Sequence, residues 1–222
     1  KIVLRCAPLD VGPYLKSHLF DVYKSVVLTS ATLSVGGEKK RGQEEKKRGQ
    51  EPFCSEGFSF FSSRVGLEKF EALQVGSPFD YEKQVTLYIE TELPEPNDPA
   101  FADAACEAIK KYLLKSGGRA FVLFTSYAML QDVAGRLEGW LAEQQMEMLV
   151  QGGQLDRIRM LECFKRDHRS VLFGTDSFWQ GVDVPGESLS NVMIVRLPFA
   201  VPNHPLIAGR IELLRQRGEN PF

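Results

Sequence analysis

The side chains best suited to chemistry sit in one stretch, Gly174-Thr-Asp-Ser-Phe-Trp-Gln-Gly-Val-Asp183. Gly174 and Thr175 can offer backbone N–H groups and a hydroxyl to a phosphate, because small residues let a ligand approach the main chain. Asp183 is an acceptor suited to a ribose hydroxyl or an arginine. The same residue types also suit a plain strand-to-helix turn, with Thr175 or Asp176 capping a helix and Phe178 and Trp179 in the core. For the two aromatics the core is the favoured reading.

These residues need a scaffold, and the apolar periodicity supplies one. Ser25 to Thr29 is a short β-branched run that reads as a buried strand ending in the polar loop Ser30-Ala31-Thr32. Val85 to Ile89 alternates like a strand, and Pro94 to Pro99 makes a rigid linker. Phe101 to Lys115 has helical spacing and is closed by Gly117-Gly118. Ala120 to Phe124 is a strand, Tyr127 to Gln144 an amphipathic helix, Glu147 to Val150 a short strand, and Leu155 to Arg166 a helix. Ser170 to Phe173 and Val192 to Leu197 complete the strands, and a last helix spans Pro205 to Gln216. Strands alternating with helices predict an α/β fold, a mainly parallel sheet with helices on both faces. In such sheets working residues gather in loops at the carboxyl ends of the strands, here Thr29-Ser30, Thr125-Ser126, Gln151-Gly152 and Gly174-Thr175-Asp176.

The bulk properties leave room for this fold and exclude little. The chain has 222 residues, 43% of them hydrophobic and 25% charged, enough for one large domain with a full core. A formal net charge of −2 gives no sign of a phosphate-coating basic module, so contact with nucleic acid would rest on a few loops. Cys6, Cys54, Cys106 and Cys163 lack zinc-ribbon or redox spacing, and His18, His168 and His204 lack metal spacing. No secretory signal or long apolar run is present, so the expectation is a cytoplasmic protein with free thiols, no metal of its own and no membrane. The tract from Gly36 to Pro52 carries Glu-Lys-Lys-Arg-Gly-Gln twice and reads as a charged surface insertion that cannot bury a core.

Several segments in order carry a family resemblance. Thr29-Ser30-Ala31-Thr32-Leu33 looks like motif III of superfamily 2 helicases, Phe121-Val-Leu-Phe-Thr-Ser-Tyr127 resembles motif IV, and Gly174 to Asp183 resembles motif V. Ser-Phe-Trp-Gln-Gly-Val-Asp-Val-Pro-Gly-Glu187, Gly76-Ser-Pro-Phe-Asp-Tyr81 and Arg196-Leu-Pro-Phe-Ala-Val-Pro202 are similar to the DinG branch of the XPD-like helicases. The resemblance implies the second RecA-like motor domain of a DNA helicase, which works with a first motor domain around ATP and Mg²⁺ and tracks along single-stranded DNA. Ser30 and Thr32 then look like the coupling between nucleotide state and domain position. Thr125, Ser126, Gly174, Thr175 and Ser177 match the family's contacts to the DNA backbone, while Gln180, Gly181 and Asp183 would face the nucleotide. The family implies 5′-to-3′ polarity and an association with the nucleoid.

Some parts of a working helicase are not in this sequence. It contains no Gly-x-x-x-x-Gly-Lys-Ser/Thr phosphate loop and no Asp-Glu pair to hold Mg²⁺. It runs to Asn220-Pro221-Phe222 without the family's Gln-x-x-Gly-Arg-x-x-Arg motif VI, whose arginines contribute roughly 10³–10⁵ in rate in comparable enzymes. The expectation is therefore a piece of a longer helicase: residues 1–35 as a possible remnant of the first motor domain, 36–52 as the insertion, and 53–222 as the second motor domain. The piece should not hydrolyse ATP alone, and the family's iron–sulfur cysteines would lie elsewhere in the parent protein. A rival reading is a nucleic-acid-binding module of the same fold without a motor, which would need the hydroxyls but not Asp183. Phe79 and Phe199, each flanked by proline, are the aromatics suited to stacking on bases.

Overall fold

The structure is a computed structural model and describes residues 6–35, 56–199, 204–218 and 220. In chain order its helices are α1 (Gly12–Leu15), continued by a π-helical turn at Lys16–Phe20, then α2 (Ser59–Val65), α3 (Tyr81–Gln84), α4 (Phe101–Ser116), α5 (Tyr127–Glu143), α6 (Arg157–Arg166) and α7 (Pro205–Gln216). The strands are β1 (Ala120–Leu123), β2 (Met148–Val150), β3 (Val171–Gly174) and β4 (Asn191–Ile194). The duplicated tract falls outside the described residues. The chain divides into two compact units, one of Lys1–Thr86 with Ala200–Phe222 and one of Leu87–Phe199.

All four strands belong to the second unit and lie in the order β2-β3-β1-β4, every pairing parallel. Leu123 is level with Gly174 on one side and Ile194 on the other, and Val150 is level with Phe173. The carboxyl ends of all four strands therefore open onto a single border. Successive strand residues point to opposite faces, and the core follows that rule. Ala120, Val122, Phe124, Val171 and Phe173 pack with α4 and α5 residues Ile109, Leu113, Leu130, Val133, Leu137 and Leu141. Phe121, Leu123, Leu149 and Leu172 pack on the other face with Met160 and Phe164 of α6 and with Phe178. Strands buried on both faces explain why β1 and β3 read as unbroken apolar runs.

Local signals account for the helices. In α4 the buried residues Phe101, Ala105, Ile109 and Leu113 recur every fourth position, and the helix stops where Gly117 takes a left-handed conformation (φ 65°). In α5 the Ser126 hydroxyl accepts the backbone N–H of Met129, and in α6 the Asp156 carboxylate accepts those of Ile158 and Arg159.

Two expected strands do not form. Ser25 to Thr29 is irregular, and Val27 is 84% exposed. Val85 to Ile89 takes no regular secondary structure and has no sheet partner, and Val85, Leu87 and Ile89 are all exposed. Both have the right residue types. A strand, however, exists only through a neighbour's N–H and C=O groups, and none is paired with either segment among the described residues. The second segment is held by side chains instead. Tyr88 packs on the Tyr112 ring at 5.1 Å, and Glu90 accepts hydrogen bonds from the Lys111 ammonium at 2.6 Å and from the Tyr112 hydroxyl.

In the other unit, the Asp10 carboxylate accepts the Gly12 N–H at 3.0 Å where α1 begins, and Arg217 beyond α7 makes an ion pair with Asp10 at 3.4 Å. His18 stacks on Tyr14 with ring centroids 4.1 Å apart, a packing role. No helix is long and apolar enough to cross a membrane among the described residues.

Candidate nucleic-acid and nucleotide interface

The border at the strands' carboxyl ends carries the loops after β1, β2 and β3. After β1, Phe124 is buried, whereas Thr125 and Ser126 are exposed; the Ser126 oxygen accepts from Met129 at 3.3 Å. Gly174 at the end of β3 and Thr175 after it are buried, Asp176 to Phe178 forms a 3₁₀ turn, and Ser177 is exposed. Gly174 cannot be larger: a Cβ there would lie 2.7 Å from the ring of Phe178, which is itself buried. Phe178 belongs to the apolar cluster on the α6 face of the sheet. Trp179 follows, half-buried, its indole N–H donating to the Phe124 carbonyl at 3.3 Å and so fastening the loop after β3 to the end of β1. The expectation that both aromatics pack inward is met, but neither Thr175 nor Asp176 caps the turn with its side chain.

Thr175 is occupied otherwise. Gln151, the first residue after β2, places its side-chain carbonyl against the Thr175 backbone N–H at 2.6 Å and the Thr175 hydroxyl at 3.0 Å. Its amide nitrogen donates to the Ser177 hydroxyl at 3.0 Å. Gln151 thus joins the loops after β2 and β3, and the sequence reading names it only as part of a loop. A glutamine among small residues at the mouth of a parallel strand is a signal that could have singled it out, since its amide can satisfy several loop groups at once.

The turn Gln180-Gly181 is held from below. The Arg157 guanidinium at the start of α6 donates to the carbonyls of Gly181 at 2.9 Å and Gln180 at 3.4 Å, and lies 5.7 Å from the Phe178 ring centroid. Gly181 itself adopts φ +67°. These backbone contacts leave the Gln180 side chain and the Asp183 carboxylate facing solvent, both exposed. Arg157 is a second residue that the sequence reading missed, because its role depends on where α6 starts relative to a loop more than twenty residues later.

Ser30 and Thr32 belong to the other unit. They sit at an exposed turn in which the two hydroxyls lie 3.2 Å apart and the Thr32 N–H donates to the Ser30 oxygen at 3.3 Å. Among the described residues no three His, Cys, Asp or Glu side chains converge as a metal ion would require. Burial pushes the Cys106 thiol above its ordinary range, keeping it protonated in the core.

Residues 109–222 match the model of the helicase C-terminal domain. The chain belongs to that family. It is 35% identical over 219 residues to the ATP-dependent DNA helicase YoaA of Escherichia coli, covering 99% of this chain and 31% of that protein. It is 34% identical over 229 residues to the 3′-5′ exonuclease DinG of Bacillus subtilis, covering 100% of this chain and 22% of that protein. It is likewise 34% identical over 226 residues to the ATP-dependent helicase DinG of Mycobacterium tuberculosis, covering 100% of this chain and 30% of that protein. The chain therefore spans less than a third of the length of these curated relatives. It is a DinG-type helicase C-terminal domain, with the parallel α/β sheet expected of a RecA-like fold.

Proposed function

We propose that this helicase C-terminal domain is the second motor domain of an ATP-dependent DNA helicase that moves 5′ to 3′ on single-stranded DNA. The observation that carries the reading is the gathering of Thr125, Ser126, Ser177 and the Gln180–Asp183 turn along one border of a parallel sheet, around a buried Thr175 whose own donors are taken by Gln151. Hydroxyls and backbone N–H groups suit phosphate oxygens without reading base sequence, as a translocating motor requires. Gly174 lets the chain turn tightly beneath those contacts. The solvent-facing Asp183 carboxylate and Gln180 amide suit a ribose hydroxyl or an arginine at a nucleotide held mainly by the first motor domain of the longer protein, and Gly181 keeps the turn low enough for such approach.

ATP hydrolysis, with Mg²⁺ at the first motor domain, supplies the free energy. This chain's residues would sense the nucleotide and relay its state to the DNA loop. The relay has a physical basis: Gln180 and Gly181 are tied through Arg157 to α6, and the same turn continues the segment that bears Thr175 and Ser177. Ser30 and Thr32 are assigned to the coupling between nucleotide state and the position of the two motor domains. The polarity, the action near the nucleoid and the iron–sulfur cluster of the parent protein are carried by the family resemblance. The convergence of donors that a cluster needs is not found among the described residues. The retained Asp183 favours a motor over a binding module, which would have no use for a nucleotide-facing carboxylate.

The test is Asp183→Ala in the longer parent protein. Unwinding of a 5′-tailed duplex should be lost, while the thermal midpoint of this domain stays unchanged because the side chain is exposed. Unwinding at the wild-type rate would remove Asp183 from the nucleotide site.

A further inference from the structure

We infer that Gln151 is a positioning residue that sets the direction of the Ser177 hydroxyl, making Ser177, and not Thr175, the hydroxyl that donates to a DNA phosphate. The inference rests on the proposed DNA contact at this loop and assigns the roles within it.

The argument follows from which atoms can only donate. The Thr175 backbone N–H is a donor and nothing else, so the side-chain atom of Gln151 that lies 2.6 Å from it must be the carbonyl oxygen. That choice fixes the orientation of the whole amide. The same oxygen then takes the Thr175 hydroxyl hydrogen at 3.0 Å. Thr175 is buried, and both of its hydrogens that can bond are spent inside the protein. The amide nitrogen is left facing Ser177 at 3.0 Å, and because it can only donate there, the Ser177 oxygen must accept. A hydroxyl that accepts from one side keeps its own hydrogen for the other. Ser177 is exposed, so that hydrogen points toward solvent, where a phosphate oxygen would lie. One amide thus determines the donor and acceptor roles of two hydroxyls on the neighbouring loop.

Gln151→Glu tests this at nearly constant shape. A carboxylate still accepts both hydrogens of Thr175, so the loop keeps its fold, but it has no N–H for Ser177. The Ser177 hydroxyl then turns its hydrogen toward the carboxylate and away from DNA. The assay is fluorescence anisotropy of a labelled single-stranded oligothymidylate with the purified 222-residue chain, as wild type, Ser177→Ala, Gln151→Glu and the double variant, with circular dichroism melts of each. A hydrogen bond to a charged partner is lost in Ser177→Ala, so affinity should fall about tenfold or more. Gln151→Glu should lower it by at least as much when Ser177 is present and by only about threefold when Ser177 is already Ala, the remainder being the added charge. Gln151→Asn, whose amide is one methylene too short to span both loops, should also lose affinity without adding charge. Equal fold losses from Gln151→Glu in the two backgrounds, or full affinity in Gln151→Asn, would overturn the positioning role while leaving the DNA site standing. No loss in Ser177→Ala would overturn the DNA site at this loop and the inference with it. If Gln151→Glu melts below the assay temperature, the Asn variant alone decides.

Discussion

At Gly174 a single added methyl group would meet the ring of Phe178 at 2.7 Å, so the loop after β3 could keep its shape only if that ring moved. The backbone conformation of Gly174 needs no glycine for strain reasons; the constraint is the buried Phe178 ring pressed against it. Gly174→Ala should push Phe178 outward, or the 3₁₀ turn with it, at a cost of about 1–3 kcal/mol, the usual range for overpacking. Chemical denaturation of the two chains measures the loss, and an unchanged midpoint would mean that the ring has room to give. Because Trp179 follows directly and holds the Phe124 carbonyl, the same substitution should also raise the quenchability of tryptophan fluorescence. Residues that pack and residues proposed to bind are thus interleaved one by one: Gly174, Phe178 and Trp179 build the turn, while Ser177, Gln180 and Asp183 are exposed on it.

Secondary structure elements are held by different means in different places. The four strands rely on one another and on helices above and below. The irregular segment at Tyr88–Glu90 relies on its charge and aromatic contacts with α4. The hydrogen bonds from Lys111 and Tyr112 hold the Glu90 carboxyl below its ordinary value of 4.5. A depressed carboxylate contributes stability that is present above the unfolded-state value and is lost as pH falls through the folded one. Removing the charge with Glu90→Gln should therefore lower the thermal midpoint at neutral pH, and the gap between the two chains should close as the medium is acidified below about pH 4. A gap that persists in acid would show that shape, not charge, anchors this segment. Being exposed, the pair is also open to screening, so the gap should narrow in high salt.

For the whole molecule, a net charge of −2 gives no general attraction to DNA, so the proposed contact rests on the loops of the sheet border. Affinity of the chain for single-stranded DNA should be weak and should drop further when salt is raised from about 50 to about 200 mM, since phosphate contacts displace condensed counterions. Salt-independent binding in anisotropy titrations would point to stacking alone, on side chains such as the exposed Phe199, as the source of affinity. ATP turnover by the chain on its own should be undetectable in a coupled assay, because the sequence holds neither a phosphate loop nor a metal-binding Asp-Glu pair. Sustained turnover would require a phosphate-binding arrangement unlike any of its motifs.

Much of this was legible before any coordinates. β1, β3, α4, α5 and α7 were placed within a residue or two because each carries a strong local signal: unbroken apolar runs, fourfold spacing, a capping serine, a glycine stop. Parallel strands with polar carboxyl-end loops also told where Thr125, Ser126, Thr175 and Ser177 would gather. By itself, then, the sequence determined the fold class, the family and the sheet border on which the candidate residues gather. Only the tertiary structure decided the rest. Val27 and Ile89 look like strand residues, but pairing is a property of two segments and cannot be read from one. Gln151 and Arg157 reach across twenty or more residues to loops whose distance from them is set by the sheet order. Side-chain periodicity records which face of an element is apolar; it holds no record of which neighbour a polar side chain will meet.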